Sequence, residues 1–149
     1  MNRRNALKNL GLFAGGMLLF PSCDFSDEKA NIVLTKLSIN SDQESLLNSI
    51  VDAILPEDDT PGGLFVKAHN FIWVYIDECT SEKDQQRFIS GLNDFMTLAN
   101  KKLGKKFAVY PHKERLAFLE SNIQNSENNS IKGFLKTTKK LAVLCYMNS

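Results

Sequence analysis

Three carboxylates stand in a row at Glu57, Asp58 and Asp59, with the hydroxyl of Thr60 beside them and Pro61-Gly62-Gly63 directly after. Oxygen clusters of this kind can serve as ligands for a hard cation such as calcium. An EF-hand loop, however, spreads its ligands over a dozen residues, and here Pro-Gly-Gly interrupts the run at once. A structural loop is the better reading, with Asp58 or Thr60 forming the turn or N-capping the next helix. The same stretch, Asp58, Asp59, Thr60 and Pro61, is a candidate contact for a partner.

The sulfur and imidazole chemistry is sparse. Cys23, Cys79 and Cys145 form no CxxC pair, and His69 and His112 lie far apart, so zinc, haem-attachment and iron–sulfur spacings are absent. Cys79 follows Asp77 and Glu78 at the predicted end of a helix, whereas a reactive thiol wants a helix N-terminus or basic neighbours. Cys79 and Cys145 are therefore either buried thiols or a disulfide in an oxidising compartment. There is no GxGxxG, GxxxxGK[ST], HExxH or GxSxG. The aromatic set of Phe71, Trp73, Tyr75, Phe88 and Phe95 could line a cofactor pocket, but aromatics at helical spacing are usually core. Trp73 sits off the main stripe and, if exposed, would anchor a partner. No catalytic, cofactor-binding or metal-binding residue is assigned.

The chain has 149 residues, 43% hydrophobic and 23% charged, with a net charge of +1, which is the composition of a globular domain. That balance leaves no electrostatic footprint for nucleic acid. Lys101, Lys102, Lys105 and Lys106 cluster around Gly104, where cations complement the negative end of a helix.

These residues must be held by helices. Ser41 with Glu44 forms a capping box, and Leu46, Leu47, Ile50, Val51, Ile54 and Leu55 then make one apolar stripe that Pro56 stops. A second helix is predicted over about 64–79, with Val66, Phe71, Ile72, Tyr75 and Ile76 inward. Ser81 caps a third, whose Phe88, Leu92, Phe95, Met96, Ala99 and Leu103 recur every three or four residues until Gly104 ends it. Residues 105–111 connect, with Phe107, Val109 and Tyr110 folding back onto the core. A fourth helix covers about 112–124, burying Leu116, Leu119 and Ile123. After a polar loop over 125–130, a fifth runs from Ile131 and carries Phe134, Leu135, Leu141, Leu144 and Cys145. Residues 31–40, with Ile32, Leu34, Leu37 and Ile39, read as a short extended segment. The fold class is all-α, a single-domain bundle of about five helices.

Residues 1–22 are written in another style. Residues 2–8, Asn-Arg-Arg-Asn-Ala-Leu-Lys, follow the twin-arginine export pattern around Arg3 and Arg4, with Ala6 in a slot usually held by Phe. The apolar run over 10–20 is about 11 residues and too short for a span of about 20. Phe20-Pro21-Ser22-Cys23 resembles a lipoprotein cleavage box, which makes Cys23 the candidate site of a lipid anchor to the membrane surface. Residues 1–22 are thus the expected signal peptide, 23–40 a tether and lead-in, and 41–149 the helical domain.

Leu55-Pro56-Glu57-Asp58-Asp59-Thr60-Pro61-Gly62-Gly63, His69-Asn70-Phe71-Ile72, Asp77-Glu78-Cys79, Gln85-Gln86-Arg87-Phe88 and Gly91-Leu92 together resemble the gluconate 2-dehydrogenase subunit 3 family. Lys105-Lys106-Phe107, the helix from Arg115 to Leu119 and the segment over 141–149 fit the same scheme. The resemblance implies a small, non-catalytic accessory subunit of a membrane-associated dehydrogenase. Its catalytic partner would be a flavoprotein of the glucose-methanol-choline type, carrying FAD and acting on sugars, sugar acids or other alcohols, often with a cytochrome c subunit holding haem c. Family members usually continue past the position where Cys145-Tyr146-Met147-Asn148-Ser149 closes this chain. The resemblance also implies location at the bacterial cell envelope, on the periplasmic side.

The competing expectation is a free-standing envelope lipoprotein that binds a ligand or acts as a scaffold. An exposed apolar patch would favour the subunit. A polar surface with one deep pocket would favour the ligand binder.

Overall fold

The computed structural model describes residues 29–149. Arg3, Arg4 and Cys23 lie outside the described residues. The described chain is all-α: α1 (Ser41–Ile54), α2 (Ala68–Cys79), α3 (Glu82–Leu103), a 3-10 turn (Phe107–Val109), α4 (His112–Asn125) and α5 (Asn129–Met147). Among the described residues the only extended pairing is one antiparallel bridge between Lys29 and Asn40.

α1 starts one residue earlier than its sequence suggests. Asn40, not Ser41, is the N-cap: its Oδ1 accepts from the Gln43 amide at 2.9 Å, and Gln43 Oε1 accepts from the Asn40 amide at 3.0 Å. The apolar stripe holds as expected, with Leu46, Leu47, Ile50 and Val51 buried. The last turn of α1 contains no basic residue. α4 supplies side-chain partners instead: His112 Nε2 lies 3.0 Å from the Ala53 carbonyl, and Arg115 donates to the Ser49 carbonyl at 3.0 Å and to Asp52 at 2.9 Å. A carbonyl-rich helix end is thereby satisfied across the bundle rather than along the chain.

α2 begins at Ala68, four residues later than expected, because residues 63–67 form a turn in which Lys67 takes a left-handed φ of 57°. Its buried face is Ala68, Ile72, Trp73, Ile76 and Asp77, while Phe71 and Tyr75 are only half-buried. α2 packs against α1, α3 and α5, so it buries a wider sector than one stripe.

α3 follows its sequence closely. Ser81 Oγ accepts from the Asp84 amide at 3.2 Å, and Gly104 closes the helix at φ 68° with its amide on the Asn100 carbonyl. α3 and α5 share the most extensive helix contact. They meet backbone to side chain at Gly91, where an added Cβ would come within 2.5 Å of the Ser130 carbonyl oxygen and Phe134 Cβ. Edge-on rings run through the core from Trp73 to Phe88 (5.8 Å), Phe88 to Phe134 (4.9 Å) and Phe95 to Phe107 (5.5 Å).

Phe107 is buried and the Tyr110 hydroxyl donates to the Leu103 carbonyl, but Val109 does not fold back and is 66% exposed. A three-residue 3-10 turn cannot point every side chain inward. α5 starts at Asn129, within the stretch expected to be loop, because Asn128 caps it through the Ser130 amide at 2.9 Å. Leu144, expected inside, is exposed.

Candidate partner interface

The acidic loop after α1 is closed by its own hydrogen bonds. Asp58 Oδ1 accepts from the Thr60 amide at 2.8 Å and from Thr60 Oγ1 at 2.9 Å, and the Asp58 amide donates to the Thr60 carbonyl at 3.2 Å. The Thr60 amide and then its hydroxyl hold the Asp58 carboxyl below the usual carboxylate range. Asp58 is therefore the turn-former; the cap position of α2, Lys67, makes no side-chain cap bond. Among the described residues no group of three or more His, Cys, Asp or Glu is placed to hold a metal ion. The root of the loop is tight. The Gly63 amide donates to the Leu55 carbonyl at 2.7 Å, and a Cβ on Gly62 would sit 2.7 Å from the Glu57 nitrogen.

Asp58, Asp59, Thr60 and Pro61 are all exposed. The Tyr146 hydroxyl, at the far end of α5, donates to Thr60 Oγ1 at 3.4 Å, so the end of α5 lies against this loop. The two segments carry four exposed apolar side chains: Leu64 and Phe65 in the turn after the loop, Leu144 and Met147 on α5. Phe65 is 71% exposed and Met147 77%.

Trp73 does not belong to this face, and that expectation is corrected. It is 0% exposed, its ring packed edge-on against Phe88, because the three-sided packing of α2 encloses the position that one stripe would have left outside. The residues that do face solvent were hidden in the sequence. Phe65 reads as the first turn of a helix, and only its position directly after Pro61-Gly62-Gly63 hints that it stands on a turn instead.

A second constellation lies at the lead-in segment. The Asp77 carboxylate, 1% exposed, accepts from the amides of Thr35 (2.8 Å), Lys36 (2.9 Å) and Leu37 (2.7 Å) and from Thr35 Oγ1 (2.8 Å). Burial pushes its pKa upward, but these donors outweigh burial and hold it at about 2. Glu44, expected to cap α1, instead accepts from the amides of Asn31 (2.7 Å) and Ile32 (3.1 Å). Two carboxylates thus fasten residues 31–37 as a strap, and Ile32, Leu34, Leu37 and Ile39 pack against the core beneath it. Nothing local to Asp77 announces this, since its partners lie 40 to 42 residues upstream.

Cys79 and Cys145 are free thiols, so the disulfide alternative is also corrected. Cys79 faces solvent at the last residue of α2, which corrects its expected burial, whereas Cys145 packs inward, and burial raises its pKa. His69 is half-buried with Nδ1 unpartnered among the described residues. Burial lowers its pKa, the Glu44 carboxylate opposes this, and Lys67 adds to the lowering. No helix among the described residues is long and apolar enough to cross a membrane.

The chain belongs to the gluconate 2-dehydrogenase subunit 3 family, whose model matches residues 41–149. The match takes in all five helices and the acidic loop, and the strap lies ahead of it. Comparison with curated proteins and with solved structures gave no match.

Proposed function

We propose that this member of the gluconate 2-dehydrogenase subunit 3 family is a non-catalytic accessory subunit, which binds, stabilises and helps export a larger dehydrogenase at the cell envelope. The partner is a flavoprotein of the glucose-methanol-choline type acting on a sugar, sugar acid or other alcohol, with a cytochrome c subunit as a further component. FAD and haem c belong to those partners. The observation that carries the reading is the exposure of Phe65 and Met147 on two segments joined through Thr60 and Tyr146. Large apolar side chains held open to solvent on two adjoining segments are what a subunit contact uses.

The leader completes the proposal. Arg3 and Arg4 direct the folded complex to the twin-arginine route, which suits cargo that folds around a cofactor before crossing. Cys23 then anchors the small subunit by a lipid. The cavity walled by Leu46, Met96 and Phe107 holds about 60 Å³, well short of the ~300 Å³ at which small-molecule sites begin. The broader groove between Leu37 and Ile89 is open to solvent rather than enclosed. Neither supports the ligand-binding lipoprotein.

The test is affinity purification of the tagged full chain from its own cells. A flavin-containing dehydrogenase should co-purify, and Phe65→Ser with Met147→Ser should release it. Recovery of the unaltered chain as a monomer overturns the subunit reading. Replacing Arg3 and Arg4 by Lys should strand the flavoprotein in the cytoplasm, and continued export of the partner would defeat the shared-leader part alone.

A further inference from the structure

Two of the four lysines around Gly104 are not explained by the end of α3. Lys101 and Lys102 lie in the last turn of α3, but Lys105 and Lys106 come after the chain has turned away at Gly104. The end of α3 is already satisfied: the Gly104 amide donates to the Asn100 carbonyl and the Tyr110 hydroxyl to the Leu103 carbonyl. All four lysines are exposed. Among the described residues only Lys106 has an ion-pair partner, Asp42 at 3.5 Å on the first turn of α1.

Directly beside them is the 60 Å³ cavity. Its lining combines apolar Leu46, Met96, Ala99 and Phe107 with polar Ser45 and Asn100 and the Lys106–Asp42 pair. Engineered cavities of roughly 150 Å³ admit benzene. This one takes less, about the end of one Val or Leu side chain, and is too small for a free organic ligand. A hole of one side chain's size, with the Lys106–Asp42 pair in its lining and the exposed Lys101, Lys102 and Lys105 standing between its lining residues Asn100 and Lys106 in the chain, matches an interface anchor with a charged surround.

We propose that the α3–turn face, from Lys101 to Ala108, docks an acidic polypeptide segment that places one aliphatic side chain in the Leu46–Met96–Phe107 cavity. The lysines supply attraction and orientation, and the cavity supplies selectivity for an apolar residue among acidic ones. An anionic membrane would use the lysines but has no need of a hole sized for one side chain. The proposal goes beyond the subunit reading and uses neither Phe65 nor Met147.

The test is a titration of the ¹⁵N-labelled full chain with the blocked pentapeptide Glu-Glu-Leu-Glu-Glu, followed by amide shifts. Shifts should concentrate at Ala99, Lys106, Phe107 and Ala108, and raised salt should reduce the affinity. Exchanging the central Leu for Ser should weaken binding about fivefold or more, the loss of roughly 1 kcal/mol of apolar burial. Lys101→Glu with Lys105→Glu, both at exposed positions, should weaken it about tenfold or more while the melting temperature stays put. Absence of shifts, or equal affinity for the Leu and Ser peptides, overturns the proposal. So does binding of phosphatidylglycerol vesicles at this face with no response to the peptide. Because no dehydrogenase is present, failure here leaves the subunit reading untouched, and failure of co-purification leaves this one untouched.

Discussion

The strap at residues 31–37 and the acidic loop at 57–63 both depend on aspartates accepting hydrogen bonds from backbone amides, yet they are opposite kinds of structure. Asp77 is enclosed, and its four donors reach it from residues about forty positions away. Asp58 is exposed, and its two donors come from Thr60, two positions on. A carboxylate with distant donors holds two parts of the chain together. One with near donors only shapes a turn, leaving its neighbours free to meet something else. Asp77 thus belongs to the part of the molecule that maintains the fold, and Asp58 to the part offered outward.

The largest effect should come from Asp77→Ala. Removing an acceptor shared by three backbone amides and a hydroxyl should cost about 2–4 kcal/mol, visible as a lower midpoint in urea unfolding. A change no larger than that of Asp58→Ala would break the comparison. The pH dependence sharpens it. The folded pKa of Asp77, about 2, lies below the unfolded value of 3.8, so its stabilisation is present above pH 3.8 and is lost as pH falls towards 2. Asp77→Asn should flatten that acid limb of a melting-temperature profile. His69 acts at higher pH in the same direction. Its lowered pKa means that the unfolded chain takes up the proton first, so stability drops as pH falls below 6.5, and His69→Gln should remove the drop.

Next in size is Gly62→Ala, at the rigid root of the outward-facing loop. The new Cβ meets the Glu57 backbone nitrogen at 2.7 Å, and the strain should cost about 1–3 kcal/mol by the same unfolding assay. The smallest effect belongs to the turn that follows the loop. Phe65→Ser, at an exposed position, should change stability by less than about 0.5 kcal/mol while weakening co-purification of the dehydrogenase. A destabilisation as large as that of Asp77→Ala would mean that Phe65 is part of the core after all.

The helices were legible wherever cap, stripe and stop agreed. α3 runs from its Ser81 cap to its Gly104 stop as its residues indicate; α4 and α5 form where expected, but Leu116 and Ile123 on α4 are only half-buried and Leu144 on α5 is exposed. The all-α class followed from those periodicities. Errors arose where a residue had two competing uses. Glu44 has the right spacing to cap α1 from Ser41, but the strap takes its carboxylate and Asn40 takes over as cap. Trp73 lies off a single helical stripe, but three neighbours close around α2. Asp77 carries no local signal at all.

Caps, apolar repeats and the Pro-Gly-Gly break are set by neighbours within a turn or two, where hydrogen-bond geometry and side-chain spacing depend on local residues. They decided that this chain forms helices, roughly where those helices run, and that 57–63 is a turn. Which faces of α2 are enclosed, which carboxylate fastens the strap, and which apolar side chains remain in solvent depend on groups forty or more residues apart. Burial and hydrogen bonding between such groups exist only once the helices have packed, so those features belong to the tertiary structure.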